Sequence, residues 1–200
     1  MNLYYIIIIF AISVGTNAIP FFGTPYTLVA STLVIKSGIN LINIIEAIAV
    51  TAIGAAIAKV FMYAVGYGVE KRIKTNKNIS FFMKLVKGKP FYIALFILAL
   101  LPLVPLDDFA FLVGGTAKAP LFRMFKITIG AKIIKSSIEI PIEVFGLIKV
   151  AEAIGVSAFE LGIISSISFT VLFIIAYKLD WEEIYEKAKK YLNFGPFKSL

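Results

Sequence analysis

The sequence predicts an all-α integral membrane protein: an inverted repeat of re-entrant hairpin plus long transmembrane helix, with a further transmembrane helix towards the C-terminus. Three features carry that expectation. The chain is 60% hydrophobic and 16% charged over 200 residues, whereas soluble domains sit near roughly 45–50% apolar and about 25% charged. A small globule leaves much of its surface in water, so internal burial does not absorb the excess; lipid does, and a mean hydropathy of +0.92 agrees. Two apolar stretches are each broken by a pair of prolines, Pro20 with Pro25 and Pro102 with Pro105. Finally, a short motif recurs within two of the long apolar segments.

Residues 3–18 are apolar and barely long enough to span. No basic residue precedes them and the following segments are equally apolar, so they read as an uncleaved first helix rather than a signal peptide. The run Ile19-Pro20-Phe21-Phe22-Gly23-Thr24-Pro25 then interrupts the chain, because proline removes a donor and clashes with the preceding helical turn. With Pro20, Gly23 and Pro25 as breakers, residues 20–35 read as a re-entrant element. Such backbone is tolerated at membrane depth only where protein or a wet cavity covers it.

Residues 40–68 form a helix long enough to span with tilt. Ala47, Ala49, Ala52, Gly54, Ala55, Ala56 and Ala58 fill it with small side chains, which let helices approach closely in lipid. Lys59 lies deep within it. Residues 70–90 are polar and carry seven Lys/Arg, interrupted by Phe81, Phe82, Met83, Leu85 and Val86. They read either as a short amphipathic piece on the membrane surface or as a solvated basic loop, cytoplasmic in both cases.

A second re-entrant element is expected over 91–115, broken at Pro102 and Pro105, with Asp107 and Asp108 at or near its tip. Residues 121–148 make another long helix, with a bend expected at Pro141, and 157–177 the last span. Residues 1–178 thus form a single membrane domain. The tail, 179–200, mixes Trp181, Tyr185 and Tyr191 with charges, as an interfacial amphipathic segment does. If the N-terminus, the 70–90 loop and the tail are cytoplasmic, fifteen of the twenty Lys/Arg lie inside: seven in the loop, three at 118–126 and five from Lys178 onward. That excess fits the positive-inside rule of a multi-pass cell-membrane protein.

The recurring motif is Ile53-Gly54-Ala55-Ala56-Ile57-Ala58-Lys59 against Ile129-Gly130-Ala131-Lys132-Ile133-Ile134-Lys135, identical at five of seven positions. In this topology the two helices run in opposite directions, the arrangement of inverted repeats whose broken elements meet near mid-membrane. Chance similarity in an Ile/Ala/Lys-rich chain is the competing explanation.

Ionisable groups within spans cost roughly 2.5–3.5 kcal/mol each on insertion scales and face a partner or a cavity. Lys132, Lys135, Glu139 and Glu143 are spaced to line one helix face with Ser136 between them, and Lys135 and Glu139 can pair along the helix. The stripe is either a set of structural ion pairs or a polar translocation path. Asp107 and Asp108 either sit at membrane depth, with Lys59 and Lys135 as candidate partners, or lie at the interface capping the next helix. Burial and a neighbouring lysine act on such a carboxyl in opposite senses, which leaves its protonation open.

The chain has no cysteine and no histidine. Disulfides, thiolate sites and thiol nucleophiles are excluded, as is the commonest metal ligand and general base. No cofactor is expected. No Gly-rich phosphate loop, Ser–His pair or spaced carboxylate set stands in the sequence, so the chain does not read as an enzyme. The net charge of +8 reads as topology and attraction to anionic headgroups, not as nucleic-acid binding, for which no aromatic–basic readout motif is present.

The chain resembles the DedA family, also called the VTT-domain or SNARE-associated Golgi protein superfamily, over most of residues 15–150. Pro20-Phe21-Phe22-Gly23 stands where the first Pro-x-Pro-Gly motif falls. Lys59-Val60-Phe61-Met62-Tyr63-Ala64-Val65-Gly66 matches the second motif in its Tyr and Gly. Leu101-Pro102-Leu103-Val104-Pro105, followed by Gly114-Gly115 and by Phe125 to Gly130, matches the third. Thr24 replaces the acid after the first motif, Lys59 the acid of the second, and Ala99 the arginine before Pro102, so the resemblance is to a divergent branch. The Ile/Lys-rich usage would suit an archaeal or AT-rich genome.

The resemblance implies an inverted-repeat membrane fold and lipid translocation, either phospholipid scrambling or flipping of a polyprenyl phosphate, with protons as a candidate coupling ion. The residues expected at the translocation site are Lys59, Asp107, Asp108, Lys132, Lys135, Glu139 and Glu143, with membrane lipids as partners. Two other readings stay open on the sequence: a small-ion or drug exporter using the same cavity, and a non-transporting membrane scaffold whose polar stripe is fully paired.

Overall fold

The computed structural model describes residues 1–19, 25–68, 88–101 and 106–178. Pro20, Gly23, Pro102 and Pro105, most of the 70–90 loop and the 179–200 tail lie outside the described residues, so the expectations for them are not addressed by it. Within the described residues every regular element is an α-helix: α1 (Leu3–Ala18), α2 (Tyr26–Ser37), α3 (Leu41–Gly68), α4 (Lys89–Leu100), α5 (Asp107–Thr116), α6 (Leu121–Ile154) and α7 (Ala158–Lys178).

Local chemistry explains where these helices start and stop. The Asn2 side chain accepts from Tyr4 N at the head of α1, an N-cap that satisfies an otherwise orphan donor. Pro25 precedes α2 and Pro120 precedes α6, while Pro90 sits in the first turn of α4, where a missing donor costs nothing. Gly38 takes φ +93 after α2 and Gly155 takes φ +72 after α6, conformations that a Cβ resists. Asn40 Oδ1 accepts from Asn43 N at 2.8 Å to start α3, and Asn43 Nδ2 donates to Gly38 O at 2.7 Å.

Contacts between helices give their relative directions. On α1, Met1 N lies 2.5 Å from Glu46 Oε2 and Ser13 packs against Gly54 of α3, so α1 and α3 run parallel. α2 turns back along α1, bringing Val34 against Ile9, and its end meets the start of α3 where Asn43 reaches Ser37 O. α1 and α2 are therefore the two arms of one hairpin. α4 and α5 form a second: Phe91 of α4 approaches Gly114 of α5. α4 follows α6, with Arg123 over the Tyr92 ring at 4.0 Å and Lys135 at Leu101 O. α5 follows α3, with Thr116 Oγ1 donating to Gly66 O at 3.0 Å. α3 and α6 are antiparallel, joined where Thr51 Oγ1 meets Ser136 Oγ at 3.4 Å. α7 runs antiparallel to α2, pairing Phe159 with Lys36 and Gly162 with Thr32.

Three expectations change. Residues 3–18 do not stand apart from the element expected over 20–35; α1 and α2 pack together as the two arms of one helical hairpin. The N-terminus does not share an end with the 70–90 loop: Met1 sits beside Glu46, whereas that loop follows Gly68 at the far end of α3, which at about 1.5 Å per residue lies some 33 Å away. No Lys/Arg precedes Lys36, so moving this end across alters no basic-residue count. Lastly, α6 runs to Ile154 rather than 148, because nothing breaks it before Gly155, and it continues helically through Pro141.

Closest approach occurs where glycines face backbone. A Cβ on Gly66 would run into the Leu112 carbonyl, and one on Gly115 into the Tyr63 carbonyl, so α3 and α5 touch main chain to main chain. Two apolar cores result. Met62, Leu95, Phe111 and Met124 fill one end of the molecule, and Ile9, Val34, Ala47, Ile140 and Val144 the other. A polar layer separates them. Outward, the surface is apolar: Ile42, Ile93, Phe122, Ile142 and Ile164 are each 60% exposed or more. α3 is long and apolar enough to cross a membrane.

Candidate functional site

The polar layer forms where both hairpins end, because each hairpin's second arm begins there. α5 opens with Asp107 and Asp108 in its first turn, where the helix dipole favours negative charge. Both are 1% exposed. Lys59 of α3 lies 3.4 Å from Asp107 Oδ1 and pairs directly with Asp108. Lys132 of α6 lies 2.9 Å from Asp107 Oδ2. Among the described residues, two ammonium groups and two carboxylates thus meet in a buried ionic quartet. Helix α3, the second hairpin and helix α6 each contribute to it.

Lys135 is not in the quartet. One turn further along α6, its Nζ donates to Leu101 O at 3.1 Å, stands 3.8 Å from Glu139 Oε1 and lies 5.9 Å from the centre of the Tyr26 ring. Leu101 ends the first arm of the second hairpin and Tyr26 begins the second arm of the first. Lys135 therefore stands between Leu101 and Tyr26, one from each hairpin. The expected Asp107–Lys135 pairing is replaced by Asp107–Lys132, since the α5–α6 crossing places the aspartate at the earlier lysine.

The two motif lysines nevertheless occupy comparable places. Lys59 of α3 meets the first turn of α5, and Lys135 of α6 meets the first residue of α2. Each long helix offers its motif lysine to the hairpin arm that belongs to the other half of the chain.

Glu143 is held differently. Thr27 Oγ1 lies 2.9 Å from its Oε1 and Ser31 Oγ 2.7 Å from its Oε2. Ser31 Oγ also lies 2.9 Å from Thr27 O and 3.4 Å from Ile140 O. Tyr26, 8% exposed, faces Glu139, Asp107 and Glu143. Its hydroxyl has no hydrogen-bond partner among the described residues. The expected stripe does line one face of α6: Lys132 and Ser136 are buried, and Lys135, Glu139 and Glu143 half-buried.

The sequence reading missed Tyr26, Thr27 and Ser31. Thr27 and Ser31 are four apart on a short apolar helix, a spacing that puts both hydroxyls on one face and could have marked them. Pro25, expected as a breaker, stands immediately before this cluster. Among the described residues no three carboxylates converge as a metal site would need.

Two grooves flank the layer. One, of ≈ 550 Å³, lies between the arms of the second hairpin and is lined by Phe91, Leu98, Phe109 and Val113. The other, of ≈ 350 Å³, lies between the first hairpin and α7, lined by Thr16, Tyr26, Ser166 and Thr170. It emerges beside Ile167 and Val171, which are 60% and 48% exposed. No family model, curated protein or solved structure matches the chain.

Proposed function

We propose that the chain is a multi-pass membrane protein of the DedA/VTT kind that translocates lipid, a phospholipid or a polyprenyl phosphate, past a mid-membrane polar layer between two re-entrant hairpins. The observation that carries this reading is Lys135, a half-buried cation that meets both hairpins, at Leu101 O and beside the Tyr26 ring, within the polar layer. An ammonium at that place, outside the quartet and only loosely paired with Glu139 at 3.8 Å, suits a phosphate headgroup. The quartet of Lys59, Asp107, Asp108 and Lys132 holds the second hairpin against both long helices beside it.

Several features support membrane insertion. Large apolar side chains cover the outside of the helices, where a soluble monomer rarely shows a contiguous apolar patch beyond a few hundred Å². Each hairpin's ends point to one side only, α1 and α2 towards Leu41, α4 and α5 towards Gly68, as re-entrant pairs of an inverted repeat do. The equivalent placement of Lys59 and Lys135 supports that repeat beyond the short sequence match. The positive-inside count puts the 70–90 loop and the tail in the cytoplasm, with Met1 on the other face.

The apolar grooves favour lipid over a small ion or drug, because a groove that opens sideways admits an acyl chain. The test is translocation of fluorescent phospholipid in liposomes holding the purified protein, beside Lys135→Ala and Asp107→Asn. Rapid exchange that Lys135→Ala loses is the expected result. Exchange no faster than in protein-free vesicles would remove general scrambling, and a wild-type rate in both variants would remove this site.

A further inference from the structure

The hydrogens around Glu143 do not balance if its carboxyl is ionised. Ser31 Oγ has one hydrogen and lies within reach of three acceptors: Glu143 Oε2 at 2.7 Å, Thr27 O at 2.9 Å and Ile140 O at 3.4 Å. A hydroxyl has one hydrogen to give, so while Oε2 is bare the two short contacts must share it in a weaker three-centre arrangement. A proton on Oε2 resolves this. Glu143 then donates to Ser31 Oγ, Ser31 donates to Thr27 O, and Thr27 Oγ1 donates to Glu143 Oε1. Every short contact becomes a hydrogen bond.

Charge points the same way. Among the described residues the layer holds Lys59, Lys132 and Lys135 against Asp107, Asp108, Glu139 and Glu143, three cations to four carboxyls. Lys59 and Lys132 pair with Asp107 and Asp108, and Lys135 stands by Glu139. Glu143 is left facing hydroxyls. The titratable groups around it are Glu139 and Lys135 on α6 itself and Tyr26 on α2, with Asp107 of α5 facing Tyr26. From α3, Glu46 is engaged by Met1 N, and α7 meets α2 near here through Gly162, Ser166 and Thr170, none of them titratable. Ionised Glu139 and Glu143 would repel at one-turn spacing, and an uncompensated charge at this depth is costly.

We propose that Glu143, with Thr27 and Ser31, is a proton-binding site of the transporter, separate from the ionic quartet, and that its proton latches the first hairpin to α6. This assigns the coupling proton of the function proposed above to the first hairpin and leaves Asp107 and Asp108 as structural partners of Lys59 and Lys132. Loss of the proton breaks the Glu143–Ser31 bond, restores like-charge repulsion with Glu139 and loosens α2 beside the lateral groove at Tyr26.

Infrared difference spectroscopy of the full chain in proteoliposomes tests this without reference to transport. At neutral pH the expected spectrum contains a protonated-carboxyl C=O band that Glu143→Gln removes. Thr27→Val, which deletes the donor to Oε1, should move that band to higher wavenumber. Exchanging choline for sodium at constant pH should leave it in place. Glu143→Gln supplies the donor and acceptor of a protonated acid, so its thermal midpoint should match wild type. A band unchanged in Glu143→Gln, no such band in wild type, or a band abolished by sodium would each overturn the assignment, the last in favour of a metal-cation site. A retained band in a protein that moves no lipid would instead sink the lipid reading alone.

Discussion

Lys132 of α6 holds Asp107 of α5 at 2.9 Å, with 4% and 1% of their side chains exposed. The two residues are brought together from either side of the α5–α6 turn, and Lys59 approaches the same carboxyl from α3. Such a buried pair is costly to break, because the surviving partner keeps its charge without compensation.

Asp107→Asn should therefore destabilise the protein by about 3–5 kcal/mol, the range for breaking a buried pair. Replacing both members, as Asp107→Leu with Lys132→Met, should recover most of that loss. Unfolding in detergent, followed by helix content, checks both variants. A double variant as unstable as the single one would mean that packing rather than charge fixes the crossing.

Main-chain contact between α3 and α5 makes a second prediction. Gly66→Ala and Gly115→Ala each force a methyl into a carbonyl and should cost about 1–3 kcal/mol, as overpacking does. Gly130 and Gly146 face open space, and alanine there should be neutral or should stabilise by about 0.5–1 kcal/mol through helix propensity. Equal effects at all four positions would rule out the close approach.

Topology is directly measurable because the chain has no cysteine of its own. With an impermeant maleimide on oriented vesicles, Asn2→Cys and Asn40→Cys should label from the same side, and Lys89→Cys from the other. Labelling of Asn2→Cys together with Lys89→Cys would reverse the α1–α3 direction found here.

Lys135 should matter more for transport than for stability. Lys135→Ala removes one charge-assisted hydrogen bond, to Leu101 O, from a half-buried position. If the same ammonium binds a headgroup, losing an interaction of about 1.5 kcal/mol lowers the rate of lipid movement about tenfold. Lys135→Arg should keep most of it. A rate unchanged in Lys135→Ala would exclude the ammonium from the path.

By itself the sequence determined that the chain is helical and roughly where its apolar helices lie, with Pro25 before one of them; the end of α6, at Gly155 rather than 148, it did not mark. It determined the charged face of α6, because three- and four-residue spacing is local geometry. It also singled out Lys59, Asp107 and Asp108 as groups needing partners. The tertiary structure decided which groups meet. Three residues, about 4.5 Å of helix rise, separate Lys132 from Lys135, and helix-crossing register, which local periodicity does not encode, chose Lys132. The side of the N-terminus was likewise undetermined, because no basic residue precedes Lys36 and the charge rule has nothing to count there. The packing of Ser13 on Gly54 decided it. Thr27 and Ser31 look like ordinary residues of a short apolar helix, and only the approach of α2 to α6 turns their hydroxyls towards Glu143.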